Sequence, residues 1–283
     1  MKLAGPEKAP LIVLLHGFPE YWASWAGVAR HLAQSYRVAL PDQRGFNLSS
    51  KPEGVEEYDT KHMVADLRGL VDQLAPTKPV ILCGHDWGAS VAYAFAMRHA
   101  DRVSKLVIAN GVHPICFQKA LYGNAVQREA SQYINVLREE GSAKRLSRDN
   151  FGPLLNMFER FSAAPWLTED TKDNYRAAWS EGGALDCMLN WYRASQMDVL
   201  DTEEPLRELT ITDEMRAKYR IAMPHLLIWG QQDVALQPEA YEDLNQFCDR
   251  LTFIEKNDAS HWILHEHPQW VAQQIEGFLT EGI

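Results

Sequence analysis

The sequence predicts an α/β protein, built as a doubly wound, mostly parallel sheet with a helical insertion. Three observations predict it. Short apolar runs alternate with helix-period segments as far as Ala109; a long stretch without strand patterns but rich in aromatics follows; strand-like runs then return near Leu226. Alternating strands and helices pack as right-handed βαβ units around one sheet.

Each element can be justified in turn. Leu11–Leu15, Arg37–Leu40, 80–83 and Val103–Ala109 are apolar at almost every position, as strands buried on both faces are. Met63, Leu67, Leu70, Val71 and Leu74 fall at helical spacing, with Thr60 placed to cap the start. Residues 89–99 read as a small-residue helix pressed on the sheet. From 113 to 221 the patterns are helical, with Tyr122, Tyr133, Phe158, Trp166, Trp179, Trp191 and Tyr192 among them. Strands return at 226–229 and 251–254, and a helix closes the chain over 268–279. The expected division is a core of 1–112 and 222–283 carrying a cap of 113–221. No internal repeat is visible.

Composition narrows the class. The 283 residues are 46% hydrophobic, enough for a sizeable core. The formal net charge is −10 and the basic residues are scattered, which argues against a nucleic-acid partner. The run Leu11–Leu15 is too short to cross a bilayer, and Glu7 and Lys8 stand where an export signal needs apolar residues. Cys83, Cys116, Cys187 and Cys248 form no CxxC pair, so they read as reduced thiols of a cytoplasmic protein without metal or cofactor.

The chemistry centres on Gly84-His85-Asp86-Trp87-Gly88, which ends the third apolar run and opens a helix. Small residues flanking one central side chain are the pattern of a strand-to-helix elbow that lifts a nucleophile above a sheet. A Gly-flanked Asp alone also suits an ordinary turn. His16-Gly17-Phe18-Pro19 after the first strand, Asp233 after the 226–229 strand and His261 after the last strand turn the pattern into a constellation. All lie at carboxyl ends of strands, where open α/β sheets bind ligands. Asp86 reads as nucleophile, His261 as base and Asp233 as its acidic partner, with the Phe18 and Trp87 amides as an oxyanion hole.

The chain resembles the α/β-hydrolase-fold epoxide hydrolases over nearly its whole length. The resemblance is carried by His16-Gly-Phe-Pro-Glu20, Asp42-Gln-Arg-Gly45 with Ser49 and Pro52, Gly84-His-Asp-Trp-Gly88, Asn190-Trp-Tyr-Arg193 and His261-Trp262. It implies two cap tyrosines, Tyr192 and, with a weaker local match, Tyr133. It also implies attack of Asp86 on a small hydrophobic epoxide to form an ester, which water activated by His261 then cleaves. The chemistry is coherent, because a carboxylate is ionised at neutral pH while the alkoxide it creates needs a proton. Asn110 stands where some relatives carry an alternative acid; as an amide, it leaves Asp233 in that role.

Other readings stand beside these. Tyr133 and Tyr192 also suit plain cap packing. Trp22, Trp25, Trp191 and Trp262 are expected to line an apolar substrate pocket, although each could simply be core. His85 reads as structural. His261, His265, Glu266 and His267 do not read as zinc ligands, since Pro268 starts a solvated helix there. A haloalkane or fluoroacetate dehalogenase would share the nucleophile, and a non-catalytic ligand-binding protein would share the scaffold. The resemblance also calls for an antiparallel strand pair ahead of Leu11. With only ten residues there, the pair is expected to be missing and Arg37–Leu40 left at the sheet edge; either the chain is a shortened form, the favoured reading, or something else covers that edge.

Overall fold

The computed structural model describes residues 1–280. Within them, one sheet contains β1 (Lys2–Ala4), β2 (Leu11–Leu15), β3 (Arg37–Leu40), β4 (Val80–His85), β5 (Val103–Ala109), β6 (His225–Gly230) and β7 (Leu251–Lys256). Their order is β1-β3-β2-β4-β5-β6-β7. Every neighbouring pair is parallel except β1 with β3. The chain moves outward from β2 to β3 and then crosses back to β4 on the other side of β2. That reversal opens a crevice at the carboxyl ends of β2 and β4.

The strands look uniformly apolar because helices cover both faces. Leu11, Val13 and Leu15 point into one buried cluster and Ile12 and Leu14 into the other, the period-two alternation of a strand. The second cluster packs against the helices Ala26–Leu32 and Pro268–Thr280 through Val28, Leu32, Val271 and Ile275. The first runs on into the segment between β5 and β6, where it takes in Phe158, Trp179 and Leu189. Among the described residues, that segment has its helices between Pro114 and Lys218, with an irregular stretch over 195–212, and contains no named strand. No helix among the described residues is long and apolar enough to cross a membrane.

Two expectations are corrected. Arg37–Leu40 is not the sheet edge, because Lys2–Ala4 pairs with it antiparallel, Leu3 opposite Ala39. Ten residues suffice for a three-residue strand and a tight return: Gly5 takes φ +82° and the Ala9 N–H donates to Pro6 O (3.1 Å). One antiparallel strand of the expected pair is therefore present. Thr60 is the first helical residue of Thr60–Leu74 and not its cap. Asp59, still extended at φ −61°, ψ 142°, accepts from the Lys61 N–H (3.2 Å), as an N-cap must.

Leu14 is fully buried between the sheet and its helices. Leu14→Ala should lower stability by about 3 kcal/mol through lost burial and a residual cavity, read as a drop in the urea midpoint at unchanged slope.

Candidate active site

The crevice is built around the turn after β4. Asp86 has φ 51°, ψ −122°, while the helix Trp87–Arg98 begins at the next residue. The strained backbone thus falls on the acid and not on its glycines, and strain of this kind gathers at functional sites. The glycines instead permit close approach: a Cβ on Gly88 would lie 2.2 Å from Leu15 O, and one on Gly17 2.3 Å from Asp86 Oδ1. That proximity lets the Phe18 N–H donate to Asp86 Oδ1 at 2.7 Å. Trp87 is the first residue of the helix that follows Asp86.

His261, on the turn between β7 and the helix Ile263–Glu266, sets Nε2 3.6 Å from Asp86 Oδ2 and Nδ1 2.7 Å from Asp233 Oδ2. Asp233 is held by the loop after β6. Its Oδ1 accepts from the amides of Ala235 (2.8 Å) and Leu236 (2.9 Å), and its Oδ2 also accepts from Asn110 Nδ2 (2.7 Å). Burial disfavours the charge on Asp233, but His261 and these donors outweigh it and hold the carboxyl below its usual range. For His261, burial opposes protonation, yet the Asp233 and Asp86 carboxylates push its pKa well above the usual imidazole value.

Asn110 is thus an aligner of the acid. Its own Oδ1 accepts from the Gly230 N–H (2.8 Å), so the amide spans β5 and the β6 loop. Nothing in the local sequence around Asn110 marks this role.

A second buried carboxylate lies behind His261. Glu20 Oε2 is 3.0 Å from His85 Nδ1, and Glu20 Oε1 accepts at 2.6 Å from His265 Nε2 and at 3.3 Å from the Tyr175 hydroxyl. His85 Nε2 donates to the carbonyl of His261 (2.8 Å). Both ring nitrogens of His85 face acceptors, so its place is to hold the His261 turn. Burial alone would raise the Glu20 pKa, but His265 and His85 hold it below the carboxylate range. Only its position in the His16–Glu20 motif hinted at Glu20.

Two small cavities meet at Asp86, and Tyr133 and Tyr192 line both. One adds Trp87, Phe117, Ile134 and Met197; the other adds Phe18, Met157, Phe161, His261 and Trp262. The Tyr192 ring stands edge-on to Phe18 (5.1 Å) and Trp87 (5.0 Å). Burial, then the neighbouring Asp86 charge, raises the Tyr133 pKa above the phenol range. Burial, then Tyr133 and Asp86, does the same for Tyr192. Both therefore stay protonated and able to donate.

The four tryptophans expected around the pocket divide. Trp262 lines it. Trp25 does not: it is fully buried on the opposite face of the sheet, with Nε1 donating to Leu15 O (2.9 Å). Trp22 packs against the same cluster, with the Lys2 ammonium 5.2 Å above its ring. The 3₁₀ turn Trp22–Trp25 carries both past the strand ends, which nearness in sequence to Phe18 conceals. Trp191 packs edge-on to Trp87 (5.8 Å), gives its N–H to Arg44 O (2.9 Å) and lines a separate cavity beside Met63 and Leu67.

A carboxylate on an elbow, an imidazole and a second acid, all at strand ends, agree with sequence comparison. The model of the alpha/beta hydrolase fold family matches residues 10–268. The chain belongs to the α/β hydrolase family. It is 36% identical to the AB hydrolase superfamily protein YfhM of Bacillus subtilis, over 98% of this chain and 92% of that one. It is 31% identical to Epoxide hydrolase 2 of Caenorhabditis elegans, over 98% of this chain and 76% of the relative. Among solved structures, it superposes with a TM-score of 0.89 (35% identity; 99% of this chain, 93% of the other) on one from work on novel epoxide hydrolases of this superfamily in metagenomes from hot environments. It superposes at 0.85 (29% identity; 99% and 96%) on the Bacillus megaterium epoxide hydrolase in complex with an inhibitor.

The two shifted pKa values give this hydrolase a pH signature. The depressed pKa of Asp233 adds stability that is fully present above its ordinary 3.8 and is lost as pH falls through the lower folded value. The raised pKa of His261 adds stability fully present below its ordinary 6.5 and lost as pH rises through the folded value. The stability advantage over Asp233→Asn should therefore be largest between pH 3.8 and 6.5. Urea midpoints measured across pH check this, and a difference independent of pH would contradict the pairing.

Proposed function

We propose that this chain hydrolyses epoxides to vicinal diols through an ester on Asp86. The observation that carries the proposal is the meeting of Asp86, Tyr133 and Tyr192 around one pair of cavities, two phenols facing one carboxylate. The relatives named epoxide hydrolases support the same substrate class.

Asp86 Oδ1 is engaged by the Phe18 amide at 2.7 Å, so the attacking oxygen is Oδ2, whose nearest charged neighbour is His261 Nε2 at 3.6 Å. Its lone pair forms the C–O bond to a ring carbon as the ring C–O bond breaks, and the departing oxygen takes a proton from Tyr133 or Tyr192. Two donors fit an alkoxide, which needs a proton; a halide leaving group needs none. Water then adds to the ester carbonyl, His261 accepts its proton, and Asp86 Oδ1 becomes the oxyanion already facing the Phe18 N–H. Collapse breaks the ester C–O bond, the departing oxygen takes the proton left on the added hydroxyl, and the diol leaves with the carboxylate restored. The proton given up by the phenol is replaced by the one taken from water, so the cycle consumes epoxide and water alone.

The raised His261 pKa fits this order. In the resting site two carboxylates hold the imidazolium. Esterification removes the charge of Asp86, one of the two, and His261 then gives up its proton more readily, to the phenolate left by ring opening; the proton later taken from water restores the imidazolium. The imidazole thus becomes a base after the ester has formed, when a base is needed.

Incubation with styrene oxide tests the scheme. Asp86→Asn should abolish turnover, and His261→Gln should accumulate an adduct on Asp86 detectable by intact-protein mass spectrometry. Tyr192→Phe should slow ring opening by about a hundredfold or more and leave 1-bromobutane cleavage, if any, little changed. Equal loss on both substrates, or no adduct in the His261 variant, would refute the assignment.

A further inference from the structure

The His261 turn is gripped from a side the mechanism does not use. Glu266 Oε2 accepts from the Ser260 N–H (2.8 Å) and Oε1 from the Ser260 hydroxyl (2.8 Å), and Ser260 Oγ accepts from the Trp262 N–H (3.1 Å). The same Oε1 accepts from the backbone N–H groups of Ala163 (2.7 Å) and Ala164 (3.2 Å). These lie in the connection between helices Arg148–Arg160 and Glu169–Ser180 of the insertion. One carboxylate thus takes four donors, two from the residue before His261 and two from the insertion backbone. Hydrogen bonds to a carboxylate are roughly twice as strong as neutral ones.

The connection is itself part of the cavity. Phe161, at its start, and Met157, in the last turn of the helix before it, line the space beside His261. Trp166, just after Ala164, lies flat on His265 with ring centres 3.9 Å apart and planes at 8°. Lifting this segment would strip Oε1 of two donors and leave Ser260 bound to a carboxylate free to turn. A shift at Ser260 would conversely unseat Ala163 and Ala164. Such coupling is reciprocal by linkage.

We propose that Glu266 is a positioning residue that couples the seating of residues 157–166 to the placement of His261, so that the imidazole is in register for water only when that wall of the cavity is in place. Glu266 lines neither cavity at Asp86 and acts through Ser260 and the 163–164 backbone. The coupling rests on the ester mechanism above, and it separates the two half-reactions. Ring opening needs Asp86 and the phenols, and Tyr192 is anchored elsewhere, its carbonyl accepting from Arg138 Nε (3.0 Å). Ester hydrolysis needs His261, and small misplacement of a catalytic group is costly.

Rapid-quench mass spectrometry with styrene oxide on the full chain, alongside amide hydrogen exchange, tests this in Glu266→Gln and Glu266→Ala. Gln keeps one acceptor oxygen, and Ala keeps none. Ester hydrolysis should fall about tenfold in Gln and further in Ala, while ring opening changes less than about threefold; ester on Asp86 accumulates. Exchange should rise together in peptides covering 160–166 and 258–264. Equal losses in both half-reactions, unchanged hydrolysis, or exchange rising in only one of the two segments would overturn the coupling. If the unmodified protein forms no ester with styrene oxide or turns none over, the ester mechanism fails; joint or separate exchange then decides the coupling by itself.

Discussion

The approach of the loop after β2 to the elbow after β4 is the contact on which the rest of the crevice depends. Asp86 is bent to φ 51° so that its carboxylate stands over the strand ends, and the chain at Gly17 comes so near that no side chain fits between them. A backbone amide then replaces the water that the carboxylate would otherwise have bound, at 2.7 Å from Phe18. Strain at one residue is offset by packing on both sides: Leu15 behind the elbow and Ala89 at the start of its helix are buried.

Buried carboxylates around His261 follow a common rule. Taking a charge out of water costs several kcal/mol unless hydrogen bonds and opposite charge replace the solvent. Asp233 is met by two amides, Asn110 and His261; Glu20 is met by His85, His265 and Tyr175. Neither is left with an unmatched oxygen, and each tie fixes a different point of the same turn, the imidazole in one case and the His261 carbonyl in the other. An imidazole held from ring and backbone alike is preorganised, and this lowers the reorganisation any chemistry at it requires.

The helical segment between β5 and β6 contributes in a different currency. Tyr133 and Tyr192 bring hydroxyl groups into an apolar space lined by Phe117, Met157, Phe161 and Trp262. Low polarity keeps the phenols protonated and strengthens any hydrogen bond made to a developing alkoxide. The same segment reaches the core through Trp179, whose indole N–H donates to Pro19 O (2.6 Å), and through Tyr175. The loop that carries Phe18 is therefore tied both to the sheet and to the helices above it.

Local sequence determined a good deal of this. Uniformly apolar runs mark strands covered on both faces, because covering helices leave no solvent side to encode. The elbow pentapeptide, Asp233 and His261 stand out because chemistry at strand ends demands particular residue types at fixed places along the chain. Other features were decided only in three dimensions. Trp22 and Trp25 follow Phe18 closely yet turn under the sheet, since a single 3₁₀ turn redirects them. Lys2–Ala4 is too short and too exposed to carry a strand pattern, and it exists as a strand through its pairing with β3. Asn110, Glu20 and Glu266 carry no local signature of what they hold, because their partners are 123, 65 and 103 residues away, respectively, in Asp233, His85 and Ala163. The elbow acid is legible from its own neighbours in sequence; the groups that hold its partners in place are set by contacts that only folding creates.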